Sequence, residues 1–268
     1  MIFFSPEAFE GYAALGLDGW SGYFCSRSAP MGAVSADVVV AAFYNFSPEI
    51  VRPNVRWDLA SPEKVLEARH EGVRRTLTRV FSQGEGGSPP LGRAVELLRE
   101  AVAACPPEGR PLAAAHAALP WPEDDLLGVW HGATVLREYR GDGHVAVLVG
   151  HGVGPVDAIL LHAAYIGGKI DFLKATRQWD DAALASSTAR LVDRGFLTPD
   201  RELTDAGGKF RLMLEHDTDR VSHAPFDALG VDKCEELLEL LHPIAMRLLE
   251  TRAAPRALGR MDPANKLA

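Results

Sequence analysis

The chain has 268 residues, 47% hydrophobic and 24% charged, with a formal net charge of −8 at neutral pH. That length and apolar content supply a core for one large domain or two medium ones, and the acidic balance opposes non-specific attraction to phosphate backbones. Cys25, Cys105 and Cys234 lie far apart with no CxxC spacing, which argues against a disulfide framework or a cysteine zinc site. The start, Met1 to Pro6, lacks a basic region, and no run approaches the roughly 20 apolar residues of a membrane span. A cytoplasmic protein with reduced thiols and no membrane partner is expected.

In chain order, a helix is predicted over 6–15, with Ser5 as N-cap, Pro6 at the first helical position and Gly16 at its end. Gly19-Trp20-Ser21-Gly22-Tyr23-Phe24 reads as a loop of aromatics between glycines. A second helix, capped by Ser35 or Asp37, occupies 34–46, and a third begins at Ser61-Pro62-Glu63 and runs to about Phe81. Residues 83–90 form a Gly, Ser and Pro linker. Helices follow over 91–105 and in a short alanine-rich segment. Pro122-Glu123-Asp124-Asp125 opens a long helix that runs to Tyr139 and delivers Arg137-Glu138-Tyr139-Arg140-Gly141-Asp142-Gly143-His144. Apolar helical segments at 145–149 and 157–166 precede a helix over 179–192 ended by Gly195. Phe196-Leu197-Thr198 and Glu202-Leu203-Thr204 flank a turn, the pattern of a short hairpin. Helices over 205–221 and 232–252 close the chain before a polar tail from 253.

The chain matches itself at a lag of about 115 to 120 residues. Pro6-Glu7 aligns with Pro122-Glu123, Arg27 with Arg140, Phe43-Tyr44 with Ala164-Tyr165, and Trp57-Asp58 with Trp179-Asp180. A duplication predicts two helical units facing one another, over 1–118 and 119–230, with 231–268 as a closing helix and tail. The fold class is mainly α.

Residues 145–215 have a winged-helix layout: helices, a candidate recognition helix at 181–193, Arg-Gly-Phe-Leu leading into a hairpin, then Leu203-Thr204-Asp205-Ala206-Gly207 opening the next helix. Here the chain resembles the winged helix-turn-helix superfamily, MarR-type regulators in particular, and as a whole it resembles an actinobacterial family of similar length labelled helix-turn-helix. The resemblance implies that the second unit, and by duplication the first, is a winged helix with a β-hairpin wing. It would also imply DNA binding, but the recognition helix departs from what a regulator needs. It begins Trp179-Asp180-Asp181 and offers only Arg190 and Arg194, late in the helix, whereas base edges and phosphates are met by cationic or amide side chains at its start.

Arg137, Arg140, Asp142 and His144 concentrate chemistry in one turn. Asp142 orienting a proton-transferring His144, with Arg27, Arg137 and Arg140 holding an anionic group, would give acid-base catalysis. The plainer alternative is a helix C-cap, with Gly141 left-handed and the arginines complementing the dipole. Trp20, Tyr23 and Phe24, with Trp130 and Tyr139, are candidates for an aromatic ligand pocket or for ordinary core. His144, His151 and His162 lack the i, i+4 spacing of a helical metal site, so no metal is predicted. Nor is a cofactor, with haem alone left open because one histidine is enough to ligate its iron. The expected function is small-molecule binding on a duplicated winged-helix scaffold that has lost DNA binding, extending to cofactor-independent acid-base chemistry in specialised metabolism. The alternatives are a ligand-responsive transcription regulator and a non-catalytic partner subunit. The 232–252 helix offers a face for homodimerisation or for closing the core.

Overall fold

The computed structural model describes residues 5–82, 91–167 and 170–251. The first four residues, the predicted linker over 83–90 and the predicted tail from 253 lie outside them. Among the described residues the fold is helical and no strand forms.

Helix α1 (Pro6–Ala13) starts as its sequence predicts, with Ser5 Oγ accepting from Ala8 N at 3.2 Å and Pro6 in the first turn. Helix α2 (Gly19–Ser28) replaces the predicted loop. Asp18 and Ser21 form a reciprocal capping box, the carboxylate accepting from Ser21 N at 2.8 Å and the hydroxyl from Asp18 N at 2.7 Å. Those bonds satisfy the free N–H groups that a glycine-rich start would otherwise leave to water. Helices α3 (Ala36–Phe43), α4 (Pro48–Val51) and α5 (Pro62–Ser82) complete the first half, α1 lying along α5. Helices α6 (Gly92–Ala103) and α7 (Pro111–Ala117) follow.

Helix α8 (Asp125–Gly150) is the central strut, capped by Asp124 at its N-terminus, and it runs unbroken through the predicted stop at Tyr139. It packs on α5, α6, α7 and α12. A turn at 151–154 then bends the chain by 106° into α9 (Pro155–Ile166). Helices α10 (Ile170–Arg177), α11 (Asp181–Asp193), α12 (Asp205–Val221) and α13 (Ala224–Glu250) follow. Leu229, Leu237 and Ile244 of α13, which breaks at Gly230 (φ +73°), close a core against Leu97, Leu98 and Val129. No single helix among the described residues is long and apolar enough to cross a membrane.

The predicted hairpin wing does not form. Leu197 and Leu203 make one isolated antiparallel bridge, and Thr198 N donates to Glu202 O at 2.9 Å. Pro199 has no N–H to extend the ladder, and Thr204 is taken up as the N-cap of α12, its hydroxyl accepting from Gly207 N at 3.0 Å.

Candidate functional site

The second half of α8, with α9 and α12, walls a cleft of about 650 Å³, which Arg27 of α2, Asn45 after α3, and Arg177 at the end of α10 also line. Arg137, Gly141, His144 and Leu148 recur at spacings of three and four, so one stripe of α8 faces it. Across from them stand Ile159 and His162 of α9, and Arg211 and Glu215 of α12. The lining holds five arginines (27, 137, 140, 177 and 211) against two glutamates (138 and 215), a positive hollow in a chain of net charge −8.

Glu138 is 1% exposed and takes a bidentate pair from Arg27, Nε to Oε1 at 2.9 Å and Nη2 to Oε2 at 2.7 Å, with Arg137 adding a bond to Oε1. Burial acts to raise its carboxyl pKa, but the charge and hydrogen bonds of Arg27, then Arg137, overcome it and hold the group down at about 2. Arg27 lies over the Phe43 ring at 4.3 Å and donates to Tyr23 Oη at 3.2 Å. On the other side, Arg140 reaches Glu215 at 2.8 Å and Asp219 at 2.9 Å, and Arg211 also pairs with Glu215.

His144 sits beside that second cluster. Its Nδ1 is 2.9 Å from Thr218 Oγ1, and the Thr218 hydroxyl spends its own proton on Leu214 O at 2.7 Å. The hydroxyl oxygen therefore accepts from Nδ1–H, which leaves Nε2 as the basic nitrogen of the neutral ring. Burial pushes the imidazole pKa below its usual value, and the charges of Arg211 and Arg140 act the same way against Glu215. The ring is thus held as a neutral base.

The structure brings Arg27, Arg137, Arg140 and His144 to one cleft and takes the other predicted site residues elsewhere. Asp142 does not orient His144. Two positions apart on a helix the side chains point to different sides, and Asp142 Oδ2 instead accepts from Ala113 N at 3.0 Å, anchoring α7. Burial raises its carboxyl pKa to about 6. Tyr139 is buried under Arg110, whose guanidinium carbon is 3.8 Å from the ring centroid. Trp20, Tyr23 and Phe24 pack with Phe43 and Phe46 in an aromatic core, ring centroids 5.1 to 6.4 Å apart, and Trp130 lies under the Arg69 guanidinium and edge-on to His70. The aromatic ligand pocket is therefore not formed; these rings are packing. The left-handed C-cap at Gly141 is not formed either, since α8 continues past it.

Asn45, Arg177, Arg211, Glu215 and Thr218 escaped the sequence reading. Arg211 and Glu215 carry an i, i+4 signature on a predicted helix. Nothing local marks Asn45 or Arg177, which come together only when the segment after α3 meets the end of α10.

The fold and cleft define a helical protein built round one central strut, with an arginine-rich hollow on its flank. The chain belongs to a helix-turn-helix family, whose sequence model matches residues 1–255. Comparison with curated proteins and with solved structures found no match.

Proposed function

We propose that this helix-turn-helix family chain binds a small organic anion in the cleft between α8, α9 and α12 and no longer reads DNA. The observation that carries this reading is the excess of five arginines over two glutamates around a hollow of about 650 Å³ in an acidic chain. His144, with its tautomer set by Thr218, is the group for proton transfer if the bound anion is turned over. The α11 helix supports loss of DNA readout. Its exposed face carries Asp181, Ala182, Ala185, Ser186, Ala189, Arg190 and Asp193, and the one cation among them, Arg190, is paired with the buried Asp157 at 2.7 Å. We read the scaffold as winged-helix ancestry in two copies, since Arg27 and Arg140, which align between the halves, both border the cleft.

Two measurements test the proposal. A thermal-shift screen of organic acids should give stabilising hits that His144→Ala or Arg211→Gln weakens. A low-salt gel shift with adjacent genomic DNA should give no complex. A retarded band with no acid hit would favour a DNA-binding regulator instead.

A further inference from the structure

This inference rests on the organic-anion reading of the cleft and names the group that is anchored there. Arg27 and Arg137 share Glu138, and Arg140 and Arg211 share Glu215, whereas Arg177 has no carboxylate partner among the described residues. Its guanidinium lies over the Phe46 ring at 4.4 Å and makes one long hydrogen bond, to Thr176 O at 3.4 Å. Next to it, Asn45 lines the cleft with a side-chain oxygen that is out of reach of water and has no hydrogen-bond partner. The other end of that amide, the Nδ2 donor, makes no hydrogen bond among the described residues and is left for a ligand.

The backbone holds both residues in place. Ser47 N donates to Arg177 O at 2.9 Å, and the Trp179 indole donates to Asn45 O at 2.9 Å. Three non-glycine residues among those described have positive φ, and two of them flank these positions: Tyr44 at +43° and Gln178 at +54°. Asn45 N also closes a tight turn onto Phe43 O around Tyr44. Strained backbone maintained by cross-bonds at two adjoining cleft positions is the signature of a site set before its ligand arrives.

We propose that Arg177 and Asn45 anchor the carboxylate of the bound organic acid, with the acid's hydrocarbon body against Leu148, Ile159 and Leu214. A monoanion matches the one cleft guanidinium that, among the described residues, lacks a counter-ion. Glu215 and Asp219 together balance Arg140 and Arg211, and the one positive charge left by the Glu138 cluster sits on Arg137, 42% exposed, where water and salt screen it. A dianion would bring a second charge with no buried partner.

The test is an amide chemical-shift titration of the full chain with benzoate and octanoate, against benzamide and phenyl phosphate as the neutral and dianionic counterparts. One or both carboxylates should shift the amides around 45 and 177, benzamide should not, and phenyl phosphate should bind more weakly. Arg177→Gln should weaken carboxylate binding roughly tenfold or more, the worth of a charge-assisted hydrogen bond. Arg177→Lys should fall between, and Asn45→Ala should weaken binding by about fivefold. Carboxylate binding that survives Arg177→Gln and Asn45→Ala but is lost in Arg211→Gln overturns this anchor and leaves the organic-anion reading standing. No shift with either carboxylate or with phenyl phosphate overturns both, and tighter phenyl phosphate binding overturns the carboxylate assignment. Should Arg177→Gln fail to fold, phenylglyoxal labelling of the unaltered protein with peptide mapping decides. Label at Arg177 that benzoate suppresses supports the anchor, and label elsewhere in the cleft with Arg177 untouched refutes it.

Discussion

Glu138 keeps its charge inside the protein because two guanidinium groups reach it, one of them in bidentate geometry. Removing that charge strands Arg27, whose side chain is 11% exposed. Glu138→Gln should therefore cost about 3 kcal/mol in urea unfolding. Asp142 behaves in the opposite sense. Its folded pKa of about 6 lies above the ordinary 3.8, so the native state holds the proton more tightly than the unfolded chain. The resulting stability is present below pH 4 and is lost as pH rises through about 6. Asp142→Asn keeps an acceptor for Ala113 N and has no charge to bury. It should be more stable than the parent by about 2 kcal/mol at pH 8 and equal to it near pH 4, as read by denaturant melts at the two pH values.

At the scale of the element, α8 shows why a sequence can point to the right residues and the wrong geometry. Two glycines two residues apart, behind a pair of arginines, have the composition of a helix end. Here they serve other ends. A Cβ at Gly143 would overlap the Arg110 guanidinium and lie 3.1 Å from Ser222 Oγ, where that arginine joins Tyr139 O to Val221 O. At Gly141 the nearest such atom is 3.8 Å away, on Glu138 at the cleft wall. Gly143→Ala should lower stability by about 1–3 kcal/mol through overpacking. Gly141→Ala should raise it by about 0.5–1 kcal/mol, because a mid-helix glycine has lost a cost it carried. A destabilising Gly141→Ala in thermal or urea melts would instead indicate a left-handed cap. The capping box of α2 was equally legible, since Asp18 and Ser21 stand three residues apart, but the glycines and aromatics beside it read as loop.

For the molecule as a whole, two carboxylates with pKa values of about 2 tie distant segments together. Glu7 bonds Arg79, joining α1 to α5, and Glu138 bonds Arg27, joining α8 to α2. Both folded values lie below the ordinary 4.5, so their contribution is complete above that pH and declines as pH falls toward 2. Midpoint temperature should therefore drop between pH 4.5 and pH 2, and the drop should shrink in Glu7→Gln.

The sequence by itself determined that the protein is helical, where most helices begin, and that Arg27, Arg137, Arg140 and His144 are candidates for a common site. Capping residues and apolar spacing act over a few positions, so they can be read locally. Only the tertiary structure decided that Asp142 holds α7 rather than His144, that the aromatics fill a core, and that Asn45 and Arg177 complete the cleft. Those outcomes depend on which buried groups meet across tens of residues, and for Asn45 and Arg177 more than a hundred, and no local pattern encodes the cost of leaving a charge or an N–H unpaired there.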